Sequence, residues 1–506
     1  MARTKLVPLV ALLLLAGCTL GPDFEHPDSF SPASWFDTPA KPEPVASHPV
    51  AEPIRADWWA SFGDPELTSL EQRVADANLD VRVAALRLAE SRSQRRITAA
   101  DQFPQINGDA SYVRQKPSPK GEFSLLGGSG SGGAAAGGAS GIPSQSGIRP
   151  FNLWQYGFDA SWELDLWGKV RRAVEAADAS VDASAEARRD ILLSTMAEVA
   201  RDYVQLRDVQ EQLRIARENR DVADQGLGLT RAQASHGLTS ELDVASAAAQ
   251  LASVAATIPQ LEQRQAEAIN QLGFLLGQPP RALEAELVLP QTVPPVPPRV
   301  PIGVPSELAQ RRPDIREAEA RLHAATAEIG VAEAAFYPTV TLTGSLDIQA
   351  IHFNNLAGWD ARTYSAGPGI SIPIFEGGRL KGNLELTKTE QQEAAITFQK
   401  TVLNAWQEVD NALVAYDAEQ RRDDQLRRQV EQSRRQLALA RQQYQRGETD
   451  FLHVLDAERQ ALAAEQQEAD SRATISTNLV VLYKSLGGGW DEPADRTLAA
   501  DARPSP

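Results

Sequence analysis

Cysteine is almost absent: Cys18 is the only one in 506 residues, so the chain cannot form an internal disulfide. Histidine is scarce. The six, at 26, 48, 236, 323, 352 and 453, stand apart, without the spacings that gather metal ligands. Basic charge is short as well. Lys and Arg number 50 against 67 Asp and Glu, a formal charge of −17, which argues against a nucleic-acid partner, whose phosphates demand a basic surface. After Cys18 no apolar run is long enough to mark a spanning helix, so any membrane crossing falls to strands. No serine-nucleophile motif is present, and the Gly-rich stretch 127–138 is followed by no Gly-Lys-Ser/Thr, so it reads as a flexible loop within 117–150 rather than a phosphate cradle. These absences leave no candidate catalytic or metal residue and no cofactor. An enzyme is not expected.

Residues 1–17 read as an export signal. Arg3 and Lys5 start it, Leu6 to Leu15 supply an apolar stretch too short for a bilayer, and Ala16-Gly17 suit cleavage before Cys18. The plain alternative is a signal peptide with an incidental cysteine. Leu15-Ala16-Gly17-Cys18 resembles the bacterial lipobox, which implies an S-diacylglycerol and an N-acyl chain on Cys18. Several chains at one site anchor stably where one would not. Thr19 after the cysteine resembles the default outer-membrane sorting signal of Gram-negative lipoproteins. Loss of the signal removes Arg3 and Lys5 and leaves 48 basic against 67 acidic side chains, a formal charge of −19.

The chain is written twice. At an offset of 210, Leu192, Met196, Val199, Tyr203 and Leu206 fall on Val402, Trp406, Val409, Leu413 and Tyr416, with apolar spacing 4-3-4-3 in both copies. That spacing marks helices packing along a seam. Gly237 then meets Gly447, Leu242 meets Leu452, Val244 meets Val454 and Gly277 meets Gly487. Long helices are expected over 168–236 and 378–446, each about 100 Å at 1.5 Å per residue. Return helices follow over 239–277 and 450–487. Helices over 66–102 and 305–336 lead into strand regions and are ended by Phe103-Pro104 and Tyr337-Pro338. A return helix and a lead helix together about match one long helix, so two continuous and two composite columns are expected.

Four segments alternate with period two: about 105–113, 151–166, 339–349 and 363–375. Trp154, Tyr156, Phe158, Ala160, Trp162, Leu164 and Leu166 make the clearest run. About ten residues with one apolar face fit either membrane strands or a soluble sheet with one buried face. In lipid, four strands cannot close a barrel, so the chain must oligomerise; arithmetic alone allows a dimer or a trimer. The expected organisation is a signal peptide (1–17), a lipidated tether (18–63), a first repeat (64–277, hairpin 168–277), a Pro-rich connector (278–304), a second repeat (305–488, hairpin 378–487) and a disordered tail (489–506).

Ordered motifs then carry a family resemblance: Gly-Cys-Thr-Leu-Gly-Pro-Asp-Phe at 17–24, Trp58-Trp59-x-x-Phe62-x-Asp64-Pro65-x-Leu67, and Trp162-Glu163-Leu164-Asp165-Leu166-Trp167-Gly168. They continue with Arg311-Arg312-Pro313-Asp314-Ile315-Arg316, Pro373-Ile374-Phe375-Glu376-Gly377-Gly378-Arg379 and Val454-Leu455-Asp456-Ala457. In this order they resemble the TolC-type outer-membrane efflux proteins, in the NodT- or OprM-like lipoprotein branch, over nearly all of the mature chain. The resemblance implies a mainly α fold with a membrane β part: a homotrimer forming a long α-barrel and a twelve-strand transmembrane β-barrel, four strands per chain. It implies the outer membrane of a Gram-negative bacterium, with most of the chain in the periplasm, and the role of exit duct of a tripartite efflux pump. The partners implied are a periplasmic adaptor, an inner-membrane transporter of the RND type, and outer-membrane lipid. Alternatives are the duct of a type I protein secretion system or a non-pore coiled-coil periplasmic lipoprotein.

The resemblance also places function at the hairpin tips. A gate is implied at Leu452, Asp456, Asp243 and Tyr444, with Leu452 as a plug and the aspartates as acidic rings. The alternative is first-turn carboxylates favoured by the helix dipole, and a leucine in seam packing. His453 stands where some relatives carry an acid, so it is either a pH-responsive ring or a solvated tip residue. Adaptor docking is implied at Gly237, Leu238 and Thr239 and at Gly447, Glu448 and Thr449, where glycine permits close approach to backbone; the same glycines also suit helix ends.

Overall fold

A computed structural model of the chain describes residues 19–27, 35, 47–116 and 150–489. Cys18, most of the Gly-rich loop and the tail from 490 lie outside the described residues. In chain order the elements are β1 (His48–Val50), α1 (Pro65–Ala77), α2 (Leu79–Ala100), β2 (Gln105–Gln115), β3 (Phe151–Leu164), α3 (Lys169–Ser235) and α4 (Glu241–Leu275). There follow α5 (Glu284–Leu287), β4 (Arg299–Pro301), α6 (Leu308–Arg311), α7 (Pro313–Ala334), β5 (Thr339–Ala350), β6 (Arg362–Ser371), α8 (Arg379–Gln445) and α9 (Phe451–Ser485). Two units divide the chain: residues 1–24, 93–178 and 324–391, and residues 25–92, 179–323 and 392–506.

The first unit carries an antiparallel sheet of order β2-β3-β5-β6. Its register aligns whole rows by character. Gly108, Phe158, Leu346 and Tyr364 lie side by side, as do Ile106, Ala160, Gly344 and Ala366, whereas Asn107, Asp159, Ser345 and Ser365 form a row on the other face. Strand alternation thus becomes one apolar and one polar face across all four strands. The apolar face is open in a single chain: Phe158 is 64% exposed, Leu346 53% and Tyr364 85%. It is not the buried face of a soluble sheet. β6 ends at Ser371, four residues before the expected 375, because Pro373 has no N–H to give and biases Ile372.

In the second unit the duplicated seam is buried. Met196, Val199, Tyr203 and Leu206 and their counterparts Trp406, Val409 and Tyr416 lie in one core, with Leu192 and Leu413 packed against it. The paired hairpins match in length, 67 and 35 residues in each. Against the expectation of no spanning-type helix, α4 is apolar and long enough to cross a membrane by composition, with a best mean hydropathy of 1.2. Its apolar character is largely alanine (Ala245, Ala247, Ala248, Ala249), Pro259 interrupts it, and Ile258 and Leu261 pack on Leu213 and Ala216 of α3. We read it as a packing helix.

The lead helices are not continuous, contrary to expectation. Asn78 separates α1 from α2, and Arg312 separates α6 from α7. Both breaks receive the end of a return helix. Asn78 donates through Nδ2 to the Leu275 carbonyl at 2.8 Å while its Oδ1 caps α2 at the Asp80 and Val81 amides. Arg312 donates to the Ser485 carbonyl at 2.9 Å and pairs with Asp314 and Glu408, both at 2.7 Å. Orphan carbonyls at the two helix ends are thereby satisfied.

Part of the expected tether is packed structure. Trp35, Ile54, Trp58, Trp59 and Phe62 are buried in the core; Trp58 stacks on Tyr483, and Trp35 donates to the Gly303 carbonyl. β1 pairs in parallel with β4 of the Pro-rich connector, which also holds the one-turn α5.

Candidate functional site at the hairpin tips

Both tips close with the same backbone device. The Gly237 amide reaches the Ala234 carbonyl and the Leu238 amide the Gln233 carbonyl, both at 2.9 Å; Gly447 to Tyr444 and Glu448 to Gln443 repeat it at 3.0 and 2.9 Å. This is the Schellman arrangement, whose left-handed residue is glycine, at φ +70° and +71° here. Gly237, Leu238, Gly447 and Glu448 are exposed, Thr239 and Thr449 half-buried.

The helices that follow are capped differently. Ser240 caps α4 in a capping box with Asp243, whose carboxylate also accepts from the Thr239 hydroxyl at 2.6 Å and the Ser240 hydroxyl at 2.8 Å. The Thr239 hydroxyl first, then that of Ser240, holds the Asp243 carboxyl below its ordinary value. On α9 the cap is Asp450, which accepts from the His453 amide at 3.2 Å and lies 2.8 Å from the His453 ring. The ring contact holds Asp450 low as well.

Beneath the turns the two hairpins join. Leu227, Ala247, Phe451, Val454 and Leu455 form a small apolar core. Tyr444 packs on Phe451 with ring centroids 5.4 Å apart and donates to Gln233 of the other hairpin at 2.5 Å. Arg459 reaches Gln250 across the same junction at 2.9 Å.

The sequence-expected residues therefore separate into two groups. Leu452 and Asp456, one helical turn apart, share a face opposite the apolar core. Leu452 is 54% exposed, and Asp456 accepts from Gln460 at 2.7 Å. Asp243 is engaged as a cap and Tyr444 as a tie between hairpins. Sequence reading passed over Gln233, Gln250 and Leu242. Leu242 is 69% exposed and corresponds to Leu452 at the same offset of 210, so the repeat itself held the signal.

Known proteins resemble the chain over nearly its whole length. The model of the family described as outer membrane efflux protein matches residues 70–278 and 304–488, one block for each repeat. A probable efflux pump outer membrane protein, TtgC of Pseudomonas putida, is 33% identical over 500 residues, covering 97% of both chains. The cation efflux system protein CusC of Escherichia coli is 30% identical over 492 residues, 97% of this chain and all of that one. Among solved structures, the outer-membrane channel OprN superposes with a TM-score of 0.82 at 35% identity, over 94% of this chain and 100% of that one. With its two repeats, four-stranded sheet and paired hairpin tips, the chain belongs to the TolC-type outer membrane efflux protein family and is an outer-membrane efflux channel.

Proposed function

We propose that three copies of the chain assemble into the exit duct of a tripartite pump, with a gate at the hairpin tips. The observation that carries this is the four-stranded sheet with one exposed apolar face and two unpaired edges, β2 and β6. An open edge in lipid leaves backbone groups unsatisfied, and closed bacterial barrels use roughly eight strands or more. Three chains supply twelve.

In that assembly Leu452, joined by Leu242, forms an apolar constriction, and Asp456 an acidic ring that favours cations. Tyr444 and Asp243 act behind it: Tyr444 holds the two hairpins together, and Asp243 fixes the first turn of α4. Opening then requires the hairpins to part, which breaks the Tyr444–Gln233 bond. Cys18 is the acylated residue. The exposed turns at Gly237-Leu238-Thr239 and Gly447-Glu448-Thr449 receive a periplasmic adaptor, which connects the duct to an inner-membrane transporter of the RND type. Small molecules are the cargo, chosen by that transporter. The relatives' names point the same way, since one is a toluene pump protein, one a cation system protein and one a pyoverdine exporter.

Single-channel conductance in planar bilayers tests the gate. Leu452→Ala and Asp456→Ala should raise the closed-state conductance, and Asp456→Ala should weaken cation preference. Unchanged currents in both would remove these residues from the gate.

A further inference from the structure

The first residues after Cys18 are not loose. Gly21, at φ +89°, lies against α7 so closely that a Cβ there would sit 2.4 Å from the Gly330 Cα. A Cβ on Gly330 would sit 2.7 Å from the Leu20 carbonyl oxygen and 2.8 Å from the Arg172 Cγ. Thr19 presses on Gly168 in the same way, at 2.9 Å. The Leu20 amide donates to the Trp167 carbonyl at 3.2 Å. Arg172, on the first turn of α3 and buried, closes the notch. Its guanidinium donates to the carbonyls of Leu20 at 3.0 Å and Gly21 at 3.3 Å, and to Asp23 at 2.6 Å, and it is held from behind by Glu175 at 2.9 Å. Glycine on both sides of a contact and a buried arginine satisfying successive carbonyls are the marks of a built seat.

Aromatic residues border the sheet at the end where the seat lies. Trp167 stacks on Tyr337 with centroids 5.0 Å apart and donates to the Pro338 carbonyl at 2.7 Å. Trp162 donates to the Gln102 carbonyl at 3.1 Å, and Phe103 is exposed beside it. Such residues mark the water boundary of a membrane barrel.

We infer that Thr19–Asp23 is a fixed strap, seated in a notch of Gly168, Gly330 and Arg172, which holds the lipid-bearing residue at the periplasmic membrane boundary of the sheet. The anchor therefore sets the depth of the barrel in the inner leaflet instead of trailing from it. Cys18 is one Cα–Cα step, about 3.8 Å, from the seated Thr19, so the acyl chains have almost no tether of their own. This rests on acylation of Cys18; the strap and its seat do not.

The test uses the full-length protein in outer-membrane vesicles. An acylated Cys18 leaves the wild type with no thiol to label, and labelling of the wild type would overturn the lipid part alone. Pro22→Cys then supplies a site for a nitroxide on the exposed side of the strap. Its spectrum should be immobilised, and its relaxation should report the headgroup region. Gly330→Leu favours the helix but fills the notch, and it should convert the spectrum to a mobile one while leaving the oligomer mass unchanged. A mobile label in the native background overturns the strap. An immobilised label in the Gly330→Leu background overturns the notch. Relaxation by aqueous reagent alone overturns the membrane level.

Discussion

The near and far ends of the return and long helices are built alike and surrounded differently. Gly277 and Gly487 end α4 and α9 at φ +64° and +73°, and Gly237 and Gly447 end α3 and α8 at φ +70° and +71°. All four take the same hydrogen-bonded turn. At the near ends a Cβ would lie 2.9 Å from the Ala77 carbonyl oxygen and 3.0 Å from that of Arg311. At the far ends it would meet nothing within 4 Å. One local solution thus serves two purposes. At the junctions glycine is required by its neighbours, and at the tips it leaves the backbone open.

The largest effect should come from the charged junction. Arg312→Ala strips Asp314, Glu408 and the Ser485 carbonyl of their shared donor and should cost about 2–4 kcal/mol, moderated because both carboxylates still reach solvent. Asn78→Ala, at the neutral junction, should cost about 1–2 kcal/mol. Denaturant unfolding of the solubilised protein measures both, and equal losses would make the two junctions equivalent. Next, Gly487→Val combines a strained φ with a backbone clash and should cost about 2–4 kcal/mol, whereas Gly447→Val carries the strain alone, about 1–2 kcal/mol. A matching loss at the two sites would break the comparison.

The dry near end also holds a titratable group. Glu71 on α1 is fully buried, and among the described residues its carboxylate has no hydrogen-bond partner. Burial pushes its pKa well above the ordinary value. The folded state then binds the proton more tightly than the unfolded one, so stability falls as pH rises above about 4.5, by at most about 1.4 kcal/mol per pH unit. Glu71→Gln should flatten that decline above about pH 4.5; an unchanged slope would remove Glu71 from it. Gly447→Trp carries the same backbone strain as Gly447→Val and should leave the oligomer intact but abolish export. Normal export from that variant would count against docking at the tip.

What the sequence made legible follows from length and period. The 67-residue helices carry many repeats of the seam, and four strands of ten or more residues alternate long enough to be unmistakable. The packed amino-terminal segment was hidden, because Trp35, Trp58, Trp59 and Phe62 sit in aperiodic, Pro-rich sequence that reads as linker. β1 and β4, three residues each, are too short to show a period. The break at Asn78 was hidden for another reason, since α1 and α2 keep a helical pattern on both sides of it, whereas the break at Arg312 had a signal in Pro313, which biases the residue before it to extended geometry. At the tips, the motif pointed to Leu452 and Asp456, which are exposed on one face of α9. The partner of Tyr444, Gln233, depended on which hairpin lies beside which, and no spacing along one helix reveals that, whereas the partners of Asp243, Thr239 and Ser240, are its own sequence neighbours.

The most direct test of the account is the mass of the species extracted from the outer-membrane fraction in mild detergent, corrected for bound detergent. A four-stranded sheet with two open edges and an exposed apolar face requires partner chains, and the proposed duct predicts three. A stable monomer would leave those edges with no means of closure and would contradict the shared barrel on which the gate and the duct depend.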